Sequence, residues 1–369
     1  MERLKDNNRF DITKYTSLIG LILLIIASAA LSPAFLKPVN VLNILRQIVP
    51  NGIVACGMTM VILTGGIDLS IGSLFALAGV SIALLMPIMP WPIATVLLLA
   101  LSVVMGVLVG LMITKLNVPP FIVTLAGLAA YRGIAMAMTD AANIYIEDKS
   151  FSSMLGSGQV PAVYVFIGLA LFLAYSIYKF VIAIRQPKVK KVKEIVKLTL
   201  IAAGIAYFGY LINSTGFLNI QIVYYVIVLL ISLFLLNKTV WGRQVYALGG
   251  NFKAAKMTGI KADQALIKVY VYMTLLGAFA GILIAGKLQS GVPSVGAGAE
   301  FDAITAVVIG GTSLAGGVGK LQGTIIGVLL IGVLNNLLSL LNVSPDYQNI
   351  LKGAIILMAV IIDTKFKKN

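Results

Sequence analysis

Charged side chains are scarce in this sequence. They make up 11% of the residues, whereas hydrophobic residues make up 59%. A soluble domain has about a quarter of its residues charged, and it could not bury so much apolar surface. Apolar stretches of about 20 residues, the length that spans a bilayer, recur along the chain. The composition therefore excludes a soluble globular protein and predicts an all-α, polytopic helical membrane protein with residues 1–369 in one transmembrane domain.

Histidine is absent, and Cys56 is the only cysteine. The sequence thus lacks the commonest metal ligand and proton-transfer group, and one thiol cannot form an intramolecular disulfide. Gly319 and Lys320 resemble the end of a phosphate-binding loop, but Leu314 and Leu321 stand where that motif needs glycine and a hydroxyl residue. No nucleophile with a base and an orienting group is apparent either. We therefore expect no catalytic site, no metal site and no cofactor bound by this chain.

Acidic residues are few. The sequence has 13 aspartates and glutamates and 28 lysines and arginines, which gives a net charge of +15. The basic residues form short runs between apolar segments, without interleaved aromatics, so positive-inside sorting explains them better than nucleic-acid binding. The outer loops keep only Lys37, Lys149 and Lys287. With the N-terminus inside, the inner side receives the basic residues of 3–14, 115, 185–197, 238–268, 320 and 365–368. This asymmetry predicts that both termini are cytoplasmic.

The chain contains about a dozen apolar segments that are candidates for membrane spans. Their predicted boundaries are 16–33, 43–64, 69–88, 92–114, 119–139, 160–182, 196–213, 220–237, 266–288, 301–315, 321–342 and 347–363.

Two of the predicted cytoplasmic loops differ from the others. The loop at 185–194 is simply basic, which favours a topological anchor beside anionic membrane lipid over a partner site. In the second loop, at 238–265, Asn251 suits a helix N-cap and Gly259 suits a left-handed C-cap. These positions predict a two-turn helix outside the membrane. Because so short a helix is marginal alone in water, it needs a surface to lie on, either the lipid interface or a partner protein.

Two glycine-rich segments, 65–72 and 310–319, interrupt the apolar pattern. Non-helical backbone is tolerated near a bilayer only where it is buried in protein or lines a polar cavity. Asp68 is therefore a functional candidate, because a carboxylate is costly in hydrocarbon. The alternative is a tight cytoplasmic turn in which Asp68 and Ser70 cap the third helix.

Other polar residues also fall within apolar segments. Arg132 could face a wet cavity or pair with Asp68 or Asp140. Asn335 and Asn336 are mid-span, so at least one should hydrogen-bond another helix or line the pathway. The candidate residues for a broken helix or a translocation pathway are thus Gly65, Gly66, Asp68, Ser70, Arg132, Asn335 and Asn336.

Three further charged residues, Lys287, Glu300 and Asp302, are predicted near the outer face. Ordinary solvation explains them better than ligand binding. Asp302 also stands where an acid favours the N-terminus of the next helix.

Several motifs together resemble the permeases of ribose, galactose and xylose ABC importers. They occur in the expected order at residues 61–73, 246–251, 301–317, 332–336 and 347–353, with Asp363. The resemblance covers most of the chain. It implies that the second loop is the coupling segment that receives motion from an ATPase, with Asn251, Phe252, Ala254, Ala255, Lys256 and Gly259 as its residues.

The resemblance also implies the partners of the chain. A partner ABC ATPase, with tandem nucleotide-binding domains, would bind ATP and Mg, and an extracytoplasmic binding protein would deliver the sugar. Two permease copies would form the pathway in the bacterial inner membrane, and this chain would not itself be an enzyme. Common members of the family have about ten spans, so the helix pair at 160–213 is predicted to be an insertion.

Two alternatives to a sugar importer remain open at this point. Related permeases carry nucleosides, a furanose-like autoinducer or branched-chain amino acids. An ion-coupled secondary transporter would use buried carboxylates such as Asp68 and Asp140, but the carboxylates are few and no convincing inverted repeat is visible.

Overall fold

The computed structural model of the protein describes residues 16–185 and 191–366. Most of the basic residues predicted inside near the chain ends, and the centre of the basic loop at 186–190, lie outside the described residues.

The described residues form sixteen α-helices and four short strands. The helices are α1 (Thr16–Leu31), α2 (Pro38–Gln47), α3 (Val49–Leu63), α4 (Ile71–Leu85), α5 (Trp91–Thr114), α6 (Pro120–Ala137), α7 (Lys149–Phe151), α8 (Ala162–Ile184), α9 (Lys191–Thr215), α10 (Ile220–Lys238), α11 (Val240–Gly250), α12 (Phe252–Met257), α13 (Ala262–Leu288), α14 (Ala299–Ile309), α15 (Leu321–Leu340) and α16 (Pro345–Phe366). The strands are β1 (Ile144–Tyr145), β2 (Gln159–Pro161), β3 (Phe217–Asn219) and β4 (Ser290–Gly291).

Apolar helices dominate the structure, as predicted. Within the described ranges, seven helices are long and apolar enough to cross a membrane, and an eighth span results if α2 and α3 are counted together. These two helices meet at a bend of 43°. Pro50 stands in the first turn of α3, where it supplies no backbone N–H to continue the hydrogen bonding of α2. The protein is thus a polytopic helical membrane protein, and the predicted segment 43–64 is two helices rather than one.

The predicted span at 301–315 is wrong. The helix there, α14, has 11 residues, which at about 1.5 Å per residue is too short to cross a bilayer. It ends because Gly310 and Gly311 begin a turn, and Gly311 has a φ of 88°, a left-handed conformation that glycine adopts at little cost. α4 is also short, with 15 residues.

The centre of the bundle is α13, a helix of 27 residues that packs against α3, α4 and α5. Glycines allow the backbones to approach closely. A Cβ at Gly106 of α5 would collide with the backbone of Val271, and one at Gly281 would collide with the backbone of Phe75 on α4. Such contacts between small residues bring membrane helices together by van der Waals packing. α13 therefore fixes the positions of the elements that carry the candidate site.

The two ends of α13 differ in what surrounds them. The short helices α11 and α12 lie at its N-terminal end, where Trp241 Nε1 donates to the carbonyl oxygen of Ala265 at 3.1 Å. At the C-terminal end, β4 pairs antiparallel with β1, and Ile144 lies opposite Gly291. The second ladder joins β2 to β3, with Val160 opposite Leu218.

The segment 160–213, predicted as an inserted pair, forms α8 and α9. They pack against each other, and the β2–β3 ladder pairs the strand before α8 with the strand after α9. Only 6% of the most apolar window of α8 and 11% of that of α9 are buried, against 72% for α13. The pair therefore stands at the side of the bundle with most of its surface free to face lipid.

Candidate functional site

The first glycine-rich segment runs extended between α3 and α4 and buries an acidic side chain. Asp68 is 1% exposed. One carboxylate oxygen accepts hydrogen bonds from the backbone N–H of Ser70, at 2.8 Å, and from its hydroxyl, at 2.6 Å. The other oxygen has no partner among the described residues, and neither does the hydroxyl of Tyr270, which packs over Gly66. Asp68 thus forms the turn before α4, while the Ser70 side chain makes no cap bond to α4.

Asp68→Ala is expected to reduce transport while the protein stays folded and inserted. The change leaves two buried donors of Ser70 without their acceptor, at a cost of about 1 to 3 kcal/mol. The chain offers a matched control, because Asp148 accepts the same two hydrogen bonds from Ser150 in an exposed loop. Asp148→Ala should therefore transport normally. Solute uptake into vesicles and elution in size-exclusion chromatography measure the two effects, and wild-type uptake by Asp68→Ala would leave Asp68 a local turn former only.

Two helices start inside the bundle, and their N-terminal ends meet. α4 begins beside Gly277, which lies about 22 Å along α13 from its start. A Cβ at Gly72, in the first turn of α4, would collide with the carbonyl oxygen of Gly296 and with the carboxylate of Glu300. Glu300 is buried in the first turn of α14, where an acid complements the positive end of the helix dipole. Asp68 lies just before the equivalent end of α4.

Arg132 joins these two helix starts. Its guanidinium donates to the carbonyl oxygens of Pro293, at 2.6 Å, and Val295, at 2.8 Å, in the loop before α14. It also donates to the carbonyl oxygen of Gly72, at 3.3 Å. Of the two alternatives predicted for Arg132, pairing with Asp68 or Asp140 is therefore not the one that the structure shows. Backbone carbonyls of the loop before α14 and of the first turn of α4 satisfy this cation inside the bundle.

A polar network connects four helices near the start of α14. Asp302 is buried and accepts hydrogen bonds from Asn51 on α3 and Lys352 on α16, each at 3.1 Å. The side-chain carbonyl of Asn335 on α15 lines the adjoining cavity of about 30 Å³, with no partner among the described residues. The expectation that Asp302 and Glu300 are simply solvated is wrong, because the loop before α14 folds back into the bundle and carries both with it.

Asn336 forms an interhelical pair. Its amide exchanges two hydrogen bonds of 3.0 Å with the amide of Asn40, at the start of α2. The prediction that at least one of Asn335 and Asn336 bonds another helix is confirmed. Side-chain amides that satisfy each other in this way fix the contact between α2 and α15.

The predicted short helix in the second loop is present as α12. Asn251 is its N-cap, and the Asn251 side-chain oxygen accepts a hydrogen bond from the backbone N–H of Ala254 at 2.9 Å. Gly259 follows the helix with a φ of 84°, in the left-handed region expected of it. Phe252, Lys256 and Ala254 are exposed.

Ala255 points the other way. It is buried against Leu248 of α11 and against Ala262 and Ala265 of α13. This corrects the expectation that both alanines face a partner. Only Ala254 is a small residue on the outward side of α12, and the buried apolar cluster fixes α12 on the bundle.

α11 connects α12 to both glycine-rich segments. At its C-terminal end, a Cβ on Gly249 would collide with the carbonyl oxygen of Leu63 and with the backbone nitrogen of Gly317. Leu63 and Gly317 are themselves joined by a backbone hydrogen bond of 2.9 Å. We call these three backbone contacts the glycine junction. It places the end of α3, the loop before α15 and the helix that leads to α12 in direct contact.

The candidate residues therefore fall into two groups. Gly65 and Gly66 follow the glycine junction, and Asp68 and Ser70 continue from them toward the start of α4. Arg132 fastens that helix start to the loop before α14, whereas Asn335 and Asn336 lie with the Asp302 network. Three charged residues, Glu300, Asp302 and Lys352, were not predicted to lie in the interior, and Gly249 was not predicted to be a point of close backbone contact.

Comparisons with known proteins identify the family of this chain. The family described as "Branched-chain amino acid transport system / permease component" matches residues 40–360. The chain is 38% identical to the ribose import permease protein RbsC of Bacillus subtilis (strain 168) over 356 residues, which cover 94% of this chain and 91% of that protein. It is 37% identical to the xylose transport system permease protein XylH of Haemophilus influenzae over 351 residues, or 92% and 93% of the two chains. No solved structure matches the chain.

The bundle of apolar helices with interrupted segments at its centre is that of a membrane permease. By the match over residues 40–360, the chain belongs to the branched-chain amino acid transport system permease family. The resemblance to sugar importer permeases predicted from the motifs is confirmed by the ribose and xylose relatives. A multi-pass location in the bacterial plasma membrane follows from this membership and from the spans.

Proposed function

We propose that this chain is the membrane-spanning permease subunit of an ATP-driven importer for a monosaccharide of the ribose or xylose class. Two curated relatives that it resembles over nine-tenths of their length import ribose and transport xylose. Two cations inside the bundle already have partners, since Lys352 pairs with Asp302 and Arg132 donates to three backbone carbonyl oxygens, and this arrangement suits an uncharged solute.

The observation that carries this proposal is the glycine junction. It links the exposed helix α12, through α11, to the ends of both interrupted segments. Motion imposed on α12 therefore reaches the backbone that leads from α3 to the start of α4 and the backbone that leads from the end of α14 to α15, without crossing a flexible linker. A permease driven by a separate ATPase needs such a connection, whereas an ion-coupled carrier does not.

The partners follow from the same proposal. An ABC ATPase subunit with tandem nucleotide-binding modules holds ATP and Mg and docks on α12. An extracytoplasmic binding protein delivers the sugar at the opposite face, and a second copy of this chain completes the pathway. α12 and both termini are then cytoplasmic, in keeping with the lysine and arginine asymmetry of the loops. The basic loop between α8 and α9 shares that side.

Uptake by the purified permease in vesicles is expected to require both partners and ATP. The proposal predicts no uptake with ADP in place of ATP, and unchanged uptake when a protonophore collapses the proton gradient. Accumulation of radiolabelled ribose or xylose inside the vesicles is the measurement. Uptake by this chain alone that the protonophore abolishes would instead establish an ion-coupled carrier.

The family description supports a second candidate, an importer of branched-chain amino acids. A zwitterion calls for fixed charges of both signs that are free to bind it. Lys352 is paired with Asp302, and Arg132 already donates to three carbonyl oxygens, so these two cations are less free to bind a substrate carboxylate, which favours the sugar. The same vesicles, loaded with the cognate binding protein and radiolabelled leucine, separate the two candidates.

A further inference from the structure

A cleft opens between α8 and α9, the helix pair that the transport proposal leaves without a role. Its volume is about 420 Å³. Its lining is mostly aromatic and aliphatic, and its charged groups are Lys179, Glu194 and Lys197.

The charges of this cleft lie at one depth. Lys179 stands five residues before the end of α8, and Lys197 stands six residues after the start of α9, so each is about 8 to 9 Å from the end joined by the basic loop. The Lys179 ammonium lies 5.7 Å from the centre of the Tyr175 ring. The Lys197 ammonium is 3.8 Å from Glu194, and its side chain is 65% exposed. Two cations against one anion leave the cleft positive.

The rest of the cleft is apolar and continuous with the outer surface of the helix pair. Phe172 and Leu198 line it further from the loop than the lysines do, and the neighbouring large side chains Leu171 and Leu200 are 67% and 68% exposed. In a bilayer these surfaces contact acyl chains. A ligand that matches the cleft must therefore carry negative charge at the loop end and hydrocarbon beyond it.

We propose that the α8–α9 cleft binds one anionic phospholipid of the surrounding bilayer. Its phosphate lies between Lys179 and Lys197, and its acyl chains follow Phe172, Leu198 and Ile201. Basic pockets between membrane helices on the cytoplasmic side bind phospholipid head groups in this way. Arg185, Lys191 and Lys193, beside the cleft at the ends of α8 and α9, raise the local concentration of anionic lipid. A free phosphate ion would use the lysines and leave the apolar wall without a contact.

Lipid retention tests this proposal without any transport assay. The full-length permease, reconstituted in vesicles of phosphatidylethanolamine with phosphatidylglycerol or cardiolipin, is extracted in mild detergent, and its bound lipids are counted by native mass spectrometry. One anionic lipid per chain is expected to survive extraction. A single lysine near an anionic surface is worth about a fivefold change in binding, so the double variant Lys179→Gln with Lys197→Gln should lower retention about 25-fold.

Two further variants make the result specific. Lys238→Gln with Lys268→Gln removes the same charge from exposed positions outside the cleft, on α10 and α13, and should retain the lipid. Glu194→Gln removes the opposing acid and should increase retention. Equal retention by all variants would overturn the proposal and leave the two lysines as anchors that reach the interface. Displacement of the lipid by millimolar inorganic phosphate would overturn it in favour of a simple anion site.

Discussion

Gly249→Ala is expected to abolish sugar uptake and to lower the thermal stability of the permease, whereas Gly250→Ala beside it should leave both near wild-type values. The added methyl group at Gly249 meets the carbonyl oxygen of Leu63 and the backbone nitrogen of Gly317, neither of which can rotate away. Overpacking against side chains costs about 1 to 3 kcal/mol, and here the backbone itself must move. At Gly250 a Cβ would have no neighbour within 4 Å.

The pair of alanine variants separates packing from helix propensity. Both changes replace a glycine by the best helix former, in the last turn of the same helix. Any general effect of the substitution is therefore shared, and only the collision differs. Vesicle uptake and a fluorescence-monitored melt are the measurements. Two variants that behave alike would mean that the glycine junction does not carry motion from α12 to the interrupted segments.

The sequence made the spans easier to predict than their breaks. Long apolar segments such as α5 and α13 were predicted to within a few residues, because an apolar run of 18 to 27 residues has the length of a membrane-spanning helix. The segment 301–315 was predicted as a span because residues 303–309 are almost all apolar and Leu314 and Ala315 follow the glycines. What ends it is the turn at Gly310 and Gly311, and composition alone does not say whether a glycine pair bends a helix or stops it.

In the candidate site, too, some residues were predicted correctly and others were not. Asp68 was predicted as a buried candidate because its carboxylate stands in an interrupted apolar segment. Glu300 and Asp302 were assigned to the solvated outer face, since the loop before α14 was expected to stay outside the bundle. The contact of Gly296 with Gly72 shows that it folds inward, and no local pattern in the sequence reports such a pairing of distant glycines.

Hydrophobic pattern also cannot decide which alanine of α12 faces a partner. Ala254 and Ala255 are adjacent and chemically identical, and their directions depend on where α11 and α13 lie. Because Ala255 fills the apolar cluster with Leu248, Ala262 and Ala265, a large residue there would disturb the bundle itself. A test of docking must therefore use Ala254.

Ala254→Glu is expected to abolish ATP-dependent uptake and to weaken association with the ATPase, while the permease stays folded and inserted. Glutamate is a good helix former, so loss of α12 does not explain such a defect. A large anion on the outward side of α12 prevents the close approach that a docking groove needs. A helix lying on lipid would depend instead on Phe252, Met257 and the lysines beside Ala254, and would tolerate the change.

Ala142→Glu provides the matched control for this last prediction, because it places the same residue at an exposed position just before β1, at the opposite end of the bundle. Co-purification with the ATPase, ATPase rate and vesicle uptake are measured for both variants. The docking role requires that Ala254→Glu lose both co-purification with the ATPase and vesicle uptake, while Ala142→Glu co-purifies with the ATPase like the wild type. If Ala254→Glu binds the ATPase and transports normally, α12 does not contact the ATPase and lies on the membrane surface.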